Sequence, residues 1–318
     1  MFVLISPFSK TFDEVWLIYE IPKFLIKEFK LWQIAQITIK DNIELWVILN
    51  EIDINSTNID ISKIKSIIGI KNSDIFVNSY RNELISWIAS YYITPIHNST
   101  NLFFPKNLKE KIINWKIPSL TKIIEDTKYT YNHNISLSNE QTKAHNDIIN
   151  SKNNKILFYW LTWSWKTEIY IKLIQENIKN NKQSLFLIPE IILTNQLSTK
   201  IKKVFWDEVI IINSTITAAN KTKYWLSINS WSAKVIIWTR SSLFYPYNDL
   251  WLIIIDEEHD NSYISDSAPR YNSIEVAEKI TDINWNMLIL ASWTPSVNSM
   301  YNAVKWKYNL VNLLKKYK

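Results

Sequence analysis

Glycine is all but absent from this chain. Globular sequences carry about 7% glycine, so 318 residues are expected to hold roughly twenty-two, and Gly69 stands alone. Cysteine is lacking altogether, which excludes disulfides and cysteine-ligated metals within these residues. No apolar run reaches membrane-spanning length, and the N-terminus has no basic stretch followed by an apolar core and a small-residue cleavage site. The sequence therefore reads as cytoplasmic, with no membrane contact. Negative charge is slightly short, 30 acidic against 36 basic residues for a formal +6. A balance so mild is compatible with a polyanionic partner, and equally with an ordinary solvated surface.

Tryptophan is present where glycine is lacking, 16 times. Turns and helix C-caps need residues that tolerate positive φ, and tryptophan does not supply them, so no physical class of protein explains the exchange. The reading that does concerns translation. A gene that uses UGA for glycine, written out with UGA as tryptophan, would show this composition, and most of the 16 tryptophans would then be glycines. Abundant Ile, Asn and Lys agree with AT-rich coding.

The chemistry concentrates around YWLTWSWKTE, Tyr159 to Glu168, which follows the apolar run Ile156 to Phe158. A strand leading into Lys-Thr and a helical run is the setting of a phosphate-binding loop, G-x-x-x-x-G-K-[ST]. Every position fits except the glycines: Trp160 and Trp165 occupy them, Trp163 stands where many such loops carry a third, and Ser164, Lys166, Thr167 and Glu168 complete the stretch. Such a loop works by bringing backbone N–H groups against phosphate oxygens in conformations that glycine adopts freely. With indoles there, the loop as printed does not hold a phosphate; with glycines it does.

Residues 1–106 read as a β-rich α+β domain, with strands over 2–5, 33–39 and 44–49 and a helix over 79–93 whose face is Leu84, Ile85, Ile88 and Tyr92. Trp32 and Trp46 fall where turns or strand bends would suit glycine, whereas Trp87 sits inside a helical pattern as a true tryptophan would. Residues 107–135 are polar and Lys-rich and read as a linker, or as a short helix plus linker. The second domain, 136–318, opens at LSNEQ, where Ser138 and Gln141 have the spacing of a capping box. Apolar runs at 155–159, 184–188, 208–212, 234–238, 251–255 and 286–290 then alternate with helical segments. That rhythm implies an α/β fold, a parallel sheet with helices on both faces, whose function collects at the strands' C-terminal ends.

One run ends in Asp256, Glu257, Glu258, His259. An apolar strand ending in acid suits a carboxylate that supports Mg²⁺, with the next one placed to orient or deprotonate water. Alone this signal is weak, because strands often end in Asp; together with Lys-Thr ninety residues earlier it is strong. Thr194, Thr239, Arg240 and Ser241 occupy similar strand ends and could meet nucleic-acid phosphates, although turn chemistry explains each of them singly.

These residues resemble a known family. DEEH, with TRSSLF before it and S-x-TPS after it, is similar to the first motor lobe of superfamily 2 helicases. With selected tryptophans read as glycine, GLTGSGKTEIY, IPEIILT, GTRSSLF, LGLIIIDEEHDNSY, PRY and SGTPS follow one another as in the primosomal replication-restart helicases. The resemblance covers about 137–310, and more weakly the first domain through LIYEIP, WIASYY and FFPKNL.

It implies a RecA-like P-loop lobe behind a DNA-binding domain of the kind that holds a DNA 3′ end. It further implies a 3′ to 5′ DNA helicase driven by ATP and Mg²⁺, acting on branched forks and single strands beside other primosome proteins and single-strand-binding protein. Lys166 would hold the β- and γ-phosphates, Thr167 and Asp256 the Mg²⁺, Glu257 the catalytic water and Gln141 the adenine. His259 and Thr294 would couple hydrolysis to DNA movement, Arg240 would lie on the single strand, and Tyr263 to Tyr271, including Arg270 and Tyr271, would form a loop that senses DNA. Trp160, Trp163, Trp165, Trp231, Trp238 and Trp251 become specific glycine candidates, while Trp87 and Trp225 fall where true tryptophan is usual.

Departures accompany the match. About thirty residues separate the first domain from LSNEQ, too few for a winged-helix domain. The aspartate that the resemblance would place beside Tyr19 is Ile18. The second lobe with its arginine finger, and the cysteine pairs that bind zinc, are expected outside these 318 residues. The chain alone should then bind nucleotide and DNA better than it unwinds anything. Two other readings remain: a DNA-binding module with a dead nucleotide site, if the tryptophans are literal, and another superfamily 2 translocase such as that of a restriction enzyme.

Overall fold

The computed structural model describes all residues except 8–16, 28, 30–32, 40–41, 58, 72–79, 106–107, 109–134, 162–165, 190–200, 202–203, 206–208, 212–215, 239 and 315–318. The chain divides into two compact units, Met1–Leu120 and Thr121–Lys318. The linker expected over 107–135 lies outside the described residues apart from Leu108 and Ile135.

The first unit is built on an antiparallel sheet of β1 (Phe2–Pro7), β2 (Leu17–Glu20), β3 (Ile34–Ile39), β4 (Asn42–Ile52) and β5 (Gly69–Lys71), in the order β2-β1-β4-β3-β5. Three of these strands were legible in the sequence. β2 and β5, of four and three residues, are too short for alternation to register. Val3, Ile5, Ile37, Trp46 and Ile48 form its core. Trp46 is 1% exposed and donates its Nε1–H to Glu44 Oε2 at 2.8 Å. The expectation of a glycine at a strand bend is thus corrected: Trp46 fills the core, and the register shift in β1 and β4 falls at Leu4/Ile5 instead. Helix α1 (Tyr80–Tyr91) buries Leu84, Ile85 and Ile88 of the expected face, whereas Tyr92, its fourth expected member, lies just past the helix end and is half-buried. Trp87 stacks on Tyr91 one turn later, their ring centroids 4.8 Å apart. Helix α2 (Ile96–Leu102) begins directly after Pro95.

The second unit runs α3 (Asn139–Ile149), β6 (Lys155–Trp160), α4 (Lys166–Lys179), β7 (Gln183–Leu187), β8 (Val209–Ile211), α5 (Ala218–Asn229), β9 (Val235–Trp238), β10 (Leu250–Asp256), α6 (Ser273–Asn284), β11 (Met287–Ser292), α7 (Val297–Val304) and β12 (Asn309–Leu313). The strands pair in parallel in the order β12-β6-β11-β10-β7-β9-β8. Every residue of β7 is buried, as expected when both faces of a parallel sheet are covered. All six anticipated strands are present. β12 was not anticipated, because NLVNL is a short mixed run at the sheet edge.

Three helices end on tryptophan in a left-handed conformation. Trp231 follows α5, Trp285 ends α6 and Trp306 follows α7, with φ of 65°, 57° and 60°. Trp285 N–H donates to Thr281 O. After α5 and α7 the bonding takes the Schellman form, Trp231 N–H to Ile228 O with Ser232 N–H to Ser227 O, and Trp306 N–H to Ala303 O with Lys307 N–H to Asn302 O. Glycine is the usual residue at such positions, because a Cβ is unfavourable there. Trp285 and Trp306 are 78% and 87% exposed, whereas Trp225 on α5 is 1% exposed.

Candidate nucleotide-binding site

β6 and β10 lie on either side of β11, so the loop after β6 and the acidic end of β10 open on one edge of the sheet. Trp163, Ser164 and Trp165 fall outside the described residues. Beyond them, Lys166 opens α4, and its Nζ donates to Asp256 Oδ1 at 2.6 Å and to Glu257 Oε1 at 2.8 Å. All three side chains are largely buried, 14%, 4% and 11% exposed. Bringing three charges out of water is tolerable here because each is paired and hydrogen-bonded. Thr167 and Glu168 sit in the first turn of the same helix, where the dipole favours an anion.

Trp160, the last residue of β6, lays its ring over this lysine with the centroid 3.7 Å from Nζ. Its Nε1–H is buried and has no partner among the described residues, a desolvation cost of about 1–3 kcal/mol. The indole therefore covers the group that would meet a phosphate, and glycine at 160 would uncover it.

Asp256 is held at both of its ends. Tyr170 Oη donates to Oδ1 at 3.1 Å, and Tyr263 Oη lies 2.5 Å from the main-chain oxygen of Asp256 and 3.2 Å from that of Leu187. Burial pushes both phenols far up, with the Asp256 charge adding to it, so both remain protonated donors. Glu257 has φ of 51°, an uncommon conformation for a side-chain-bearing residue. Its Oε2 is buried without a hydrogen bond among the described residues, 3.9 Å from His259 Nδ1. Burial raises its carboxyl above the usual range and Asp256 adds to this, against the opposing pull of Lys166 and His259. Such a carboxylate takes up a proton more readily than a surface one, which suits a general base.

Glu258 and His259 connect this cluster to the S-x-TPS motif. Glu258, 2% exposed, accepts from Ser296 N–H at 2.6 Å, Ser296 Oγ at 3.1 Å and Ser299 Oγ at 3.0 Å, so it fastens the N-terminus of α7. His259 Nδ1 is 2.7 Å from Ser292 Oγ, which also accepts Thr294 N–H at 3.0 Å, and Thr294 Oγ1 is 3.5 Å from both ring nitrogens. His259 and Thr294 are thus brought together.

The capping box that the spacing of Ser138 and Gln141 predicts is present, while Arg240 and Tyr271 are placed differently from expectation. Gln141 closes the capping box of α3, its Oε1 accepting from Ser138 N–H at 2.8 Å while Ser138 Oγ accepts Gln141 N–H at 3.2 Å. Arg240 Nη1 donates to the carbonyls of Ser262, at 3.0 Å, and Ile264, and Nη2 pairs with Asp266 at 3.2 Å. Its guanidinium therefore braces the loop after the acidic motif instead of facing outward. Arg270 is exposed, but Tyr271 is 3% exposed and packs edge-on against Phe244, centroids 4.9 Å apart. Thr239 and Thr194 lie outside the described residues.

The residues fit a divalent cation. The Lys166 ammonium stands between two carboxylates as a cation would, and Glu257 keeps a buried oxygen without a hydrogen bond among the described residues. Among the described residues no group of three or more His, Cys, Asp or Glu could hold a metal unaided. Sequence reasoning missed the roles of Tyr170 and Glu258 and read Tyr263 only as part of a DNA-sensing loop; Glu258 carried a signal in its place within DEEH.

A parallel α/β lobe with a lysine at the start of the helix after one strand, bonded to Asp-Glu at the end of another, has the RecA-like arrangement. The model of the family described as "Type III restriction enzyme, res subunit" (ResIII) matches residues 134–295. The chain belongs to this helicase family, and it is PriA-like. It is 37% identical over 279 residues to the replication restart protein PriA of Rickettsia prowazekii, covering 87% of this chain and 41% of that protein. To the protein of the same name from Rickettsia felis it is 36% identical over 258 residues, covering 80% and 38%. The chain thus spans about two fifths of the length of these relatives. Among solved structures, RecG bound to a three-way DNA junction is similar at TM-score 0.43 and 19% identity, over 75% of this chain and 30% of that one. Among the described residues no helix is long and apolar enough to cross a membrane.

Proposed function

We propose that this chain is the DNA-binding domain and first motor lobe of an ATP-dependent 3′ to 5′ DNA helicase of replication restart, and that the encoded residues at 160, 163 and 165 are glycines. The observation that carries the reading is Lys166, placed at the N-terminus of α4 and bonded to both Asp256 and Glu257. In this reading Lys166 binds the β- and γ-phosphates, and Thr167 and Asp256 hold Mg²⁺, which supplies charge neutralisation at the transferred phosphate. Glu257 orients water and accepts its proton. His259, Ser292 and Thr294 relay the state of the acidic motif to the S-x-TPS segment, and Gln141 contacts adenine after its cap opens.

Residues 1–106 engage branched and single-stranded DNA, and so does the exposed Arg270, on a loop that Arg240 and the buried Tyr271 hold in place. Primosome proteins, single-strand-binding protein and a bacterial cytoplasmic setting belong to the same reading, as does zinc bound outside this chain. The PriA relatives align over 87% and 80% of the chain, well beyond the motor alone, which favours restart over a restriction translocase.

The test is a titration of ATP-Mg²⁺ and of forked DNA into the chain made with glycine, and separately with tryptophan, at 160, 163 and 165. Micromolar nucleotide binding by the glycine form alone, with DNA affinity falling as salt rises, is the expected result. Nucleotide binding by neither form, or DNA affinity indifferent to salt, overturns the proposal.

A further inference from the structure

Helix α4 delivers two donors to one carboxylate oxygen. Lys166 opens the helix, and Tyr170 lies four residues on, one turn later on the same face. Both bond Asp256 Oδ1, at 2.6 Å and 3.1 Å. The Tyr170 ring is fully buried, edge-on to Phe158 and Phe186 with centroids 6.2 Å and 5.3 Å away, so its hydroxyl has a fixed position. The two donors differ in kind. An ammonium cancels the charge of the carboxylate and is the group that leaves when a phosphate arrives, whereas a phenol orients the carboxylate and leaves its charge in place. From the other side, Tyr263 anchors the main-chain oxygen of the same residue.

We infer that Tyr170 is a positioning residue for the divalent cation, holding the Asp256 carboxylate in its metal-facing orientation once Lys166 has moved to a phosphate. The inference rests on the nucleotide-binding reading above. A merely structural Tyr170 would need its ring in the aromatic packing and any acceptor for its hydroxyl; a positioning Tyr170 makes metal affinity depend on that hydroxyl.

The experiment uses the full chain with glycine at 160, 163 and 165 and a fluorescent non-hydrolysable ATP analogue, titrated with Mg²⁺ at fixed nucleotide. Tyr170→Phe keeps the ring and removes the hydroxyl. The expected result is nucleotide affinity in EDTA equal to that of the parent and a Mg²⁺ midpoint raised about tenfold, the low end of the effect of losing an outer-shell partner. An unchanged Mg²⁺ midpoint in a folded Tyr170→Phe overturns the inference. Asp256→Asn separates this outcome from failure of the underlying reading. If Asp256→Asn abolishes the Mg²⁺ dependence while Tyr170→Phe leaves it intact, the site stands and the role of Tyr170 falls. If neither moves the midpoint, the site reading itself falls. Should Tyr170→Phe not fold, 3-fluorotyrosine at 170 retains the ring and changes the donor strength; a midpoint displaced at least twofold supports the inference, and an unmoved one overturns it.

Discussion

Replacing Trp231, Trp285 and Trp306 together by glycine is expected to stabilise the second unit. Each residue holds positive φ just past or at the end of a helix, a conformation that costs a residue with a Cβ about 1–2 kcal/mol. Glycine regains this but adds about 0.5–1 kcal/mol of unfolded-state entropy. Trp285 and Trp306, 78% and 87% exposed, give up almost no packing. Trp231, 36% exposed, loses the Lys234 ammonium 4.5 Å from its ring, worth about 0.5–1 kcal/mol at an exposed site. The net gain is about 1 kcal/mol at each of the first two sites and near zero at the third, so about 2 kcal/mol in all if the sites act independently. For a unit of this size, the thermal midpoint should rise by roughly 4–8 °C. Thermal denaturation followed by circular dichroism measures it, with Trp225→Gly as the opposite control, expected to cost about 3–5 kcal/mol or more through its cavity. A triple variant less stable than its parent would refute the reasoning that these are glycine positions.

Glu257→Gln should stabilise the fold above neutral pH. Because burial raises the folded-state carboxyl above its unfolded value, ionised Glu257 destabilises the fold at high pH, and this penalty fades as pH falls through the raised value. The variant's advantage in thermal midpoint should therefore be larger at pH 8 than at pH 5. Glu258→Gln turns an amide toward donors that now meet a carboxylate; it should cost about 2–4 kcal/mol, read as a lower denaturation midpoint with α7 exchanging its amides fastest. Arg240→Ala removes the brace on Ser262 and Ile264. Hydrogen exchange at the Ser265 amide, which bonds Tyr271 O, should accelerate about tenfold, while amides in β10 keep their protection.

The second unit was legible because buried parallel strands are long apolar runs, and those of β6, β7, β10 and β11 stand clear of their neighbours. Lys166, Asp256 and Glu257 were legible from their places at strand and helix ends, even though the loop between them and β6 carried indoles. The reach of a side chain was not legible. Arg240 sits where a phosphate contact is reasonable, yet a guanidinium bonds whichever carbonyls lie nearest, and here those belong to the loop. Tyr170 reads in the sequence as one more apolar position on an amphipathic helix, and only the closeness of Asp256 gives its hydroxyl a task. The tryptophans divide in the same way. Composition flagged most of them, with Trp87 and Trp225 set apart as true tryptophans; backbone angle and burial separate Trp231, Trp285 and Trp306 from Trp46 and Trp225.

Along a strand, neighbouring side chains alternate between faces, so Asp256 and Glu257 would ordinarily look in opposite directions. The left-handed turn at Glu257 lets both grip one ammonium. Every substitution there consequently reports two quantities at once, the lost carboxylate and a change in backbone comfort. Glycine at 257 would relax the turn, valine would deepen its strain, and asparagine would tolerate it. An inactive Glu257→Gly protein that melts above its parent would mark position 257 as one where durability and catalysis pull in opposite directions.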